Sequence, residues 1–302
     1  MIAKYLVPIF FVAALISACN SNNNLTGPAK ETISTPVNVP EPSEIIKSSK
    51  PEIKSKEITE IDLSPYFGSL TGTAVFLQEG GKYISYNKNW IDERFSPNSS
   101  FHIVSSLAAL ESETITPTDS VFKWDGTNWP FESWNRDMNL IEAFQNSSTW
   151  YFKLLIEKTG QEYMGGFINK IGYGNCDISE WDGSTINSPS WINGFWMESS
   201  LLISPMEQLD LVMRIFEGQT DINENNILEL KKMMHIETLN SRYNLYGKTG
   251  TGNGGWFVGF FNIGGGNIYF ATYLTAQEGA DGPKAQEITK NIIENYFLLN
   301  IT

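Results

Sequence analysis

The chain has 302 residues, 41% of them hydrophobic and 13% aromatic with nine Trp. That is enough apolar surface to build a real core, which excludes disorder throughout. A formal net charge of -13 would repel a phosphate backbone, so nucleic acid is excluded as a partner. With only two cysteines, Cys19 and Cys176, a disulfide framework is excluded as well.

Residues 1–19 carry one basic residue, Lys4, then an apolar run, then the small residues Ser17 and Ala18 before Cys19. The run is shorter than the roughly 20 residues of a spanning helix and has the anatomy of a signal peptide. Ile16-Ser17-Ala18-Cys19 resembles the lipobox of bacterial lipoproteins, which implies cleavage before Cys19 and lipidation of that residue. The expectation is an exported protein of the cell envelope or periplasm, lipid-anchored to a membrane at Cys19. An ordinary secretory signal ending near a cysteine is the alternative. Residues 20–60 are rich in Ser, Asn, Thr, Pro, Lys and Glu without periodicity, and read as a flexible tether. Residues 61–302 read as the folded domain.

Within it, Gly72–Leu77 and Tyr83–Tyr86 are β-rich runs parted by Gly80-Gly81, a hairpin signal. After Ser96-Pro97, apolar residues at 101, 103, 107 and 110 predict a helix with Ser96 as its cap. Further helices are expected at about 138–158, 162–171, 205–217 and 225–234. The period then changes: residues 245–250, 255–261 and 267–274 are aromatic and β-branched and read as strands, before a last helix near 283–298. The expected fold is α+β, an antiparallel sheet of strands from both chain ends, flanked by helices and joined to a helical subdomain.

Four short elements could carry chemistry: Ser99-Ser100-Phe101-His102, Ser147-Ser148-Thr149, Tyr173-Gly174-Asn175 and Lys248-Thr249-Gly250. Each alone arises easily by chance; their joint order is far more specific. Ser99, at a helix start, would feel free amides and a dipole that favour negative charge on an attacking oxygen. His102 lies three residues on, about 5 to 6 Å away between Cβ atoms on a helix, so its imidazole could reach the Ser99 hydroxyl as a base. Lys248 and Thr249 would present a charge and a hydroxyl to a substrate carboxylate. Gly250 would admit a close substrate. The amides of Ser99 and Thr251 could bind an oxyanion. His235 and Cys176 read as structural.

At these residues, and at Arg94–Phe101, Val121–Gly126, Trp134–Asp137, Phe195–Glu198 and Trp256–Gly259, the chain resembles the class D serine β-lactamases and related penicillin-sensor domains. The resemblance runs from about 64 to 300. It implies that Ser99 is the nucleophile acylated by a β-lactam, Ser147 the proton relay to the β-lactam nitrogen, and Lys248 and Thr249 the carboxylate-recognition and proton-transfer groups. It implies that Trp196 steadies the general base. The partner it implies is a β-lactam or a peptidoglycan-peptide-like small molecule; no cofactor and no metal is expected.

The sequence departs from that pattern at one position above all. Relatives carry Ser-x-x-Lys, with the lysine carboxylated to a carbamate base, where this chain has His102, and an imidazole forms no stable carbamate. Thr149 replaces the usual Val or Ile, and Gly282-Pro-Lys284-Ala285 lacks the expected Arg, leaving Lys284 one position away as the candidate carboxylate ligand. Three expectations follow. Neutral His102 could serve as the base of a β-lactam hydrolase; Ser99 could be acylated with very slow hydrolysis, as in a penicillin-binding sensor; or the chain could be an inert envelope lipoprotein.

Overall fold

The computed structural model describes residues 56–78, 80–184, 193–275 and 277–299, all within one compact unit, Lys54–Thr302. The hairpin forms where the glycine pair predicts it: β2 (Gly72–Leu77) and β3 (Tyr83–Tyr86) run antiparallel with Leu77 opposite Tyr83. Gly80 and Gly81 turn the chain at φ +83° and +82°, the left-handed region that glycine enters without a β-carbon clash. The late strands β5 (Tyr243–Thr251), β6 (Gly255–Ile263) and β7 (Gly266–Leu274) form an antiparallel meander, and β7 pairs with β2. Both chain ends thus meet in one sheet.

The sheet has seven strands in the order β1-β3-β2-β7-β6-β5-β4. It is antiparallel except for β1 (Ile58–Glu60), which runs parallel to β3 and occupies the last residues of the segment read as a tether. A second strand absent from the sequence reading, β4 (His235–Leu239), starts directly after a helix with no Gly or Pro between them. Residues 20–55 of the segment read as a tether, and Cys19 with the leader, lie outside the described residues.

Alternation along the strands separates two cores. On β6, Trp256, Val258 and Phe260 face one side with Val75 and Ala271, while Phe257 and Phe261 face the other with Ala74, Phe76 and Phe270. Helices cover both faces, so both residue sets are apolar. Over the second face lie α1 (Ser64–Phe67), through Phe67, and α8 (Gly282–Ile292), through Ala285, Ile288 and Ile292. Against the first face lies the helical part, comprising α2 (His102–Glu111), α3 (Leu140–Gln145), α4 (Thr149–Thr159), α5 (Gln161–Ile171), α6 (Pro205–Phe216) and α7 (Glu224–Met234).

Two helix boundaries differ from the sequence reading in ways that matter for the site. Ser96 does not cap the helix after Pro97; its hydroxyl donates to the Trp196 carbonyl at 3.0 Å and accepts from the Glu198 amide at 2.7 Å. The chain instead enters α2 through a single 3₁₀ turn, Asn98–Phe101. The stretch 138–158 is two helices, because α3 ends at Gln145 and Ser147 takes φ +54° before α4 begins. That break turns the Ser147 side chain out of the helical register.

Candidate active site

Ser99 sits in the 3₁₀ turn, 8% exposed, at the floor of a cleft of about 320 Å³. Ser147 and Thr149 line the same cleft from the helical side, and Thr249 and Thr251 from β5. Trp134, Phe131 and Met197 give it apolar walls, and Pro283 of α8 closes the strand side. Trp134 and Met197 entered the sequence analysis only within matched segments and Pro283 only as a neighbour of Lys284, while Phe131 was not singled out, because an isolated aromatic in a loop carries no periodic signal.

Lys248 is buried, 4% exposed, yet among the described residues it makes no bond to a carboxylate. Its Nζ donates to Ser147 Oγ at 2.7 Å and to the Thr249 carbonyl at 2.9 Å. Without a counter-charge, burial disfavours the ammonium and lowers its pKa to about 7. A cation–π contact with Phe144, 5.6 Å from Nζ to the ring centroid, supplies part of the missing stabilisation. Two of the predicted residues, Ser147 and Lys248, are therefore bonded to each other, and Ser147 shares the cleft with Ser99.

His102 is fully buried and lies flat on Phe152, ring centroids 3.6 Å apart and planes 7° from parallel. Neither ring nitrogen has a hydrogen-bond partner, so the expected bond to the Ser99 hydroxyl is not formed. Burial, reinforced by the positive charge of Lys248, holds the imidazole well below its ordinary pKa and keeps it neutral at pH 7. Ser99 lies in the 3₁₀ turn and His102 opens α2, where Phe152 of α4 claims the ring.

Trp196 is buried with its indole stacked on Phe101, and its Nε1 also lacks a partner. Its backbone does the visible work, since its carbonyl accepts from both Ser96 Oγ and the Asn98 amide at 3.0 Å. Lys284 points away from the expected role: Nζ bonds Glu287 at 2.8 Å, and only its neighbour Pro283 lines the cleft. Gly250 also serves a different purpose. A β-carbon there would meet the Pro97 carbonyl at 2.8 Å and the Ser100 amide nitrogen at 2.9 Å, so the close approach is to the protein's own turn, not to a substrate.

The remaining elements are architectural. Tyr173 is buried edge-on to Phe101, with its hydroxyl 3.5 Å from Gln208, which in turn donates to Ser100 Oγ at 2.7 Å. Asn175 ties two loops by donating to the Ser200 carbonyl and accepting from the Leu202 amide. Thr251 Oγ1 accepts from the Gly282 amide at 2.9 Å, joining β5 to α8. His235 is exposed in β4, edge-on to Tyr246, and Cys176 is half-buried with a free thiol.

This α+β fold is that of class D β-lactamases and penicillin-receptor domains. Residues 53–294 match the family described as penicillin binding protein transpeptidase domain, and the chain belongs to that family. It is 32% identical over 265 residues to regulatory protein BlaR1 of Bacillus licheniformis, covering 84% of this chain and 42% of that protein. The chain thus spans about two fifths of that relative's length. It is likewise 32% identical over 252 residues to the probable β-lactamase YbxI of Bacillus subtilis, covering 82% of this chain and 88% of the relative. The C-terminal domain of the Bacillus licheniformis BlaR penicillin-receptor superposes with a TM-score of 0.72 at 32% identity, covering 80% of this chain and 98% of that structure.

Proposed function

We propose that this protein is a penicillin-binding serine acyl-transfer domain in which Ser99 is acylated by β-lactams and the acyl group leaves slowly. The observation that carries the reading is the 2.7 Å hydrogen bond between Lys248 Nζ and Ser147 Oγ in the cleft that Ser99 opens on. Lys248 in its neutral form takes the Ser147 proton while Ser147 takes that of Ser99, and Ser99 Oγ attacks the β-lactam carbonyl. The amides of Ser99 and Thr251 receive the oxyanion. The proton then returns from Lys248 through Ser147 to the nitrogen released by ring opening. The ammonium formed in between, with Thr249, faces the substrate carboxylate.

Deacylation needs a base that activates water on the acyl-enzyme. His102 stands three residues after Ser99, where the class D resemblance implies a carboxylated lysine, and its imidazole is stacked on Phe152 with no hydrogen-bond partner among the described residues. Losing the base commonly costs about 10² to 10⁴ in rate. This favours a penicillin sensor or slow hydrolase over an efficient β-lactamase. Residues 1–19 fit an export signal and Cys19 a lipid attachment site, so that the domain works outside the cytoplasm, tethered to a membrane. A fluorescent penicillin tests the reading: the native protein is labelled and Ser99→Ala is not. Equal labelling of both, or of neither, contradicts it.

A further inference from the structure

Glu198 has no part in the chemistry above, yet it joins the two segments that frame the oxyanion site. Its Oε1 accepts from Asn98 Nδ2 at 2.8 Å and from the Asn253 amide at 2.8 Å, and its Oε2 accepts from Asn253 Nδ2 at 2.9 Å. Asn98 immediately precedes Ser99, and Asn253 follows Thr251 by two residues. One carboxylate therefore holds the nucleophile turn and the loop after β5 together. Hydrogen bonds to an ionised acceptor are about twice as strong as neutral ones, and three converge here.

The surrounding backbone is shaped to the bridge. Asn98 and Glu198 take φ +49° and +50°, a region that non-glycine residues occupy only when neighbours over-determine them. Their restraints are the Asn98 amide on the Trp196 carbonyl at 3.0 Å and the Glu198 amide on Ser96 Oγ at 2.7 Å. Gly252 leaves the space the bridge passes through: a β-carbon there would sit 2.1 Å from Glu198 Oε1 and 2.4 Å from Asn98 Nδ2. Trp256 Nε1 fastens the same turn from β6, donating to the Ser96 carbonyl at 2.9 Å.

We propose that Glu198 is a positioning residue that sets the Ser99 amide and the Thr251 amide at the spacing needed to receive the oxyanion. The proposal rests on the reading of Ser99 as an acylated nucleophile. Oxyanion donors act only at the geometry of the transition state, and a misplacement of about 1 Å can cost about a hundredfold. The loss should therefore fall on the acylation step and leave non-covalent binding of the β-lactam unchanged.

The test is stopped-flow acylation of the full chain by a chromogenic cephalosporin, giving a saturating rate constant and a half-saturation concentration, beside thermal midpoints. Glu198→Ala should lower the rate constant about tenfold or more with the half-saturation concentration unchanged. Glu198→Gln should stay within about threefold of the native rate, because its Oε1 still accepts and the Asn253 side-chain amide can flip so that its Oδ1 accepts from the new Nε2. Asn253→Ala, which removes one of the three bonds, should fall between them and serves if Glu198→Ala does not fold. A native protein that is never acylated overturns the Ser99 reading and the proposal with it. A native protein that is acylated, with an alanine variant at either position equally fast or impaired only in half-saturation, overturns the bridge alone.

Discussion

His102 and Phe152 lie face to face, 3.6 Å between ring centroids, and this pairing takes the imidazole out of hydrogen-bonding contact with Ser99. A stacked, neutral, fully buried histidine is a packing residue that retains a titration. Its consequences can be read in stability as well as in catalysis.

Because the folded protein holds His102 well below its ordinary pKa, the native state stays unprotonated there while the unfolded chain takes up a proton near pH 6.5. The unfolded state then binds more protons, so stability falls as pH drops below about 6.5, by up to about 1.4 kcal/mol per unit from this group. Thermal unfolding between pH 7 and 5 should show the native protein losing stability faster than His102→Leu. Parallel curves for the two would contradict the burial of an uncharged ring.

Lys248 is lowered to about 7 by burial, whereas an unfolded lysine keeps its proton to about 10.4. The unfolded state again binds more protons in that window, so this group adds stability as pH rises from 7 toward 10. The same titration governs acylation. The rate of Ser99 acylation should climb between pH 6 and 8 as the neutral amine appears, and Lys248→Arg, which cannot release its proton, should be slower by about a hundredfold or more. A flat pH profile would exclude Lys248 as the acylation base.

Gly250 faces the Pro97 carbonyl and the Ser100 amide at distances no β-carbon tolerates. Gly250→Ala should therefore push the nucleophile turn off β5, costing about 1 to 3 kcal/mol and slowing acylation. Lys284→Ala should do neither, since its side chain pairs with Glu287 at the surface. Chemical denaturation and acylation rates measured on both variants check this contrast, and an impaired Lys284→Ala would restore that lysine to the carboxylate site.

His102→Lys places an amine three residues after Ser99, against the Phe152 ring. If the rest of the site is intact, this variant should gain bicarbonate-stimulated release of the acyl group, faster by about tenfold or more. An unchanged release rate with and without bicarbonate would show that Thr149 and the Phe152 wall also oppose deacylation.

Most of the architecture was legible because it rests on local rules. Gly80-Gly81 marked the hairpin, and the aromatic, β-branched runs around Lys248, Trp256 and Tyr269 marked the meander. The strands β1 and β4 escaped because each is short and sits at a sheet edge, where pairing rather than side-chain pattern holds it. In the site, Ser99, Ser147, Thr249 and Thr251 line one cleft. The direction of the His102 ring and the packing at Gly250 depend on partners far along the chain, Phe152 for the first and Pro97 for the second. Glu287 stands three residues after Lys284 on α8, and the pairing follows from helix spacing.

Intact-mass spectrometry after exposure to penicillin, followed over hours and localised by peptide mapping, tests the central claim most directly. One added penicilloyl group on Ser99 that persists for hours at pH 7 is the expected result. Absence of any adduct, attachment at another residue, or an adduct that disappears within seconds while free penicillin is hydrolysed would contradict it.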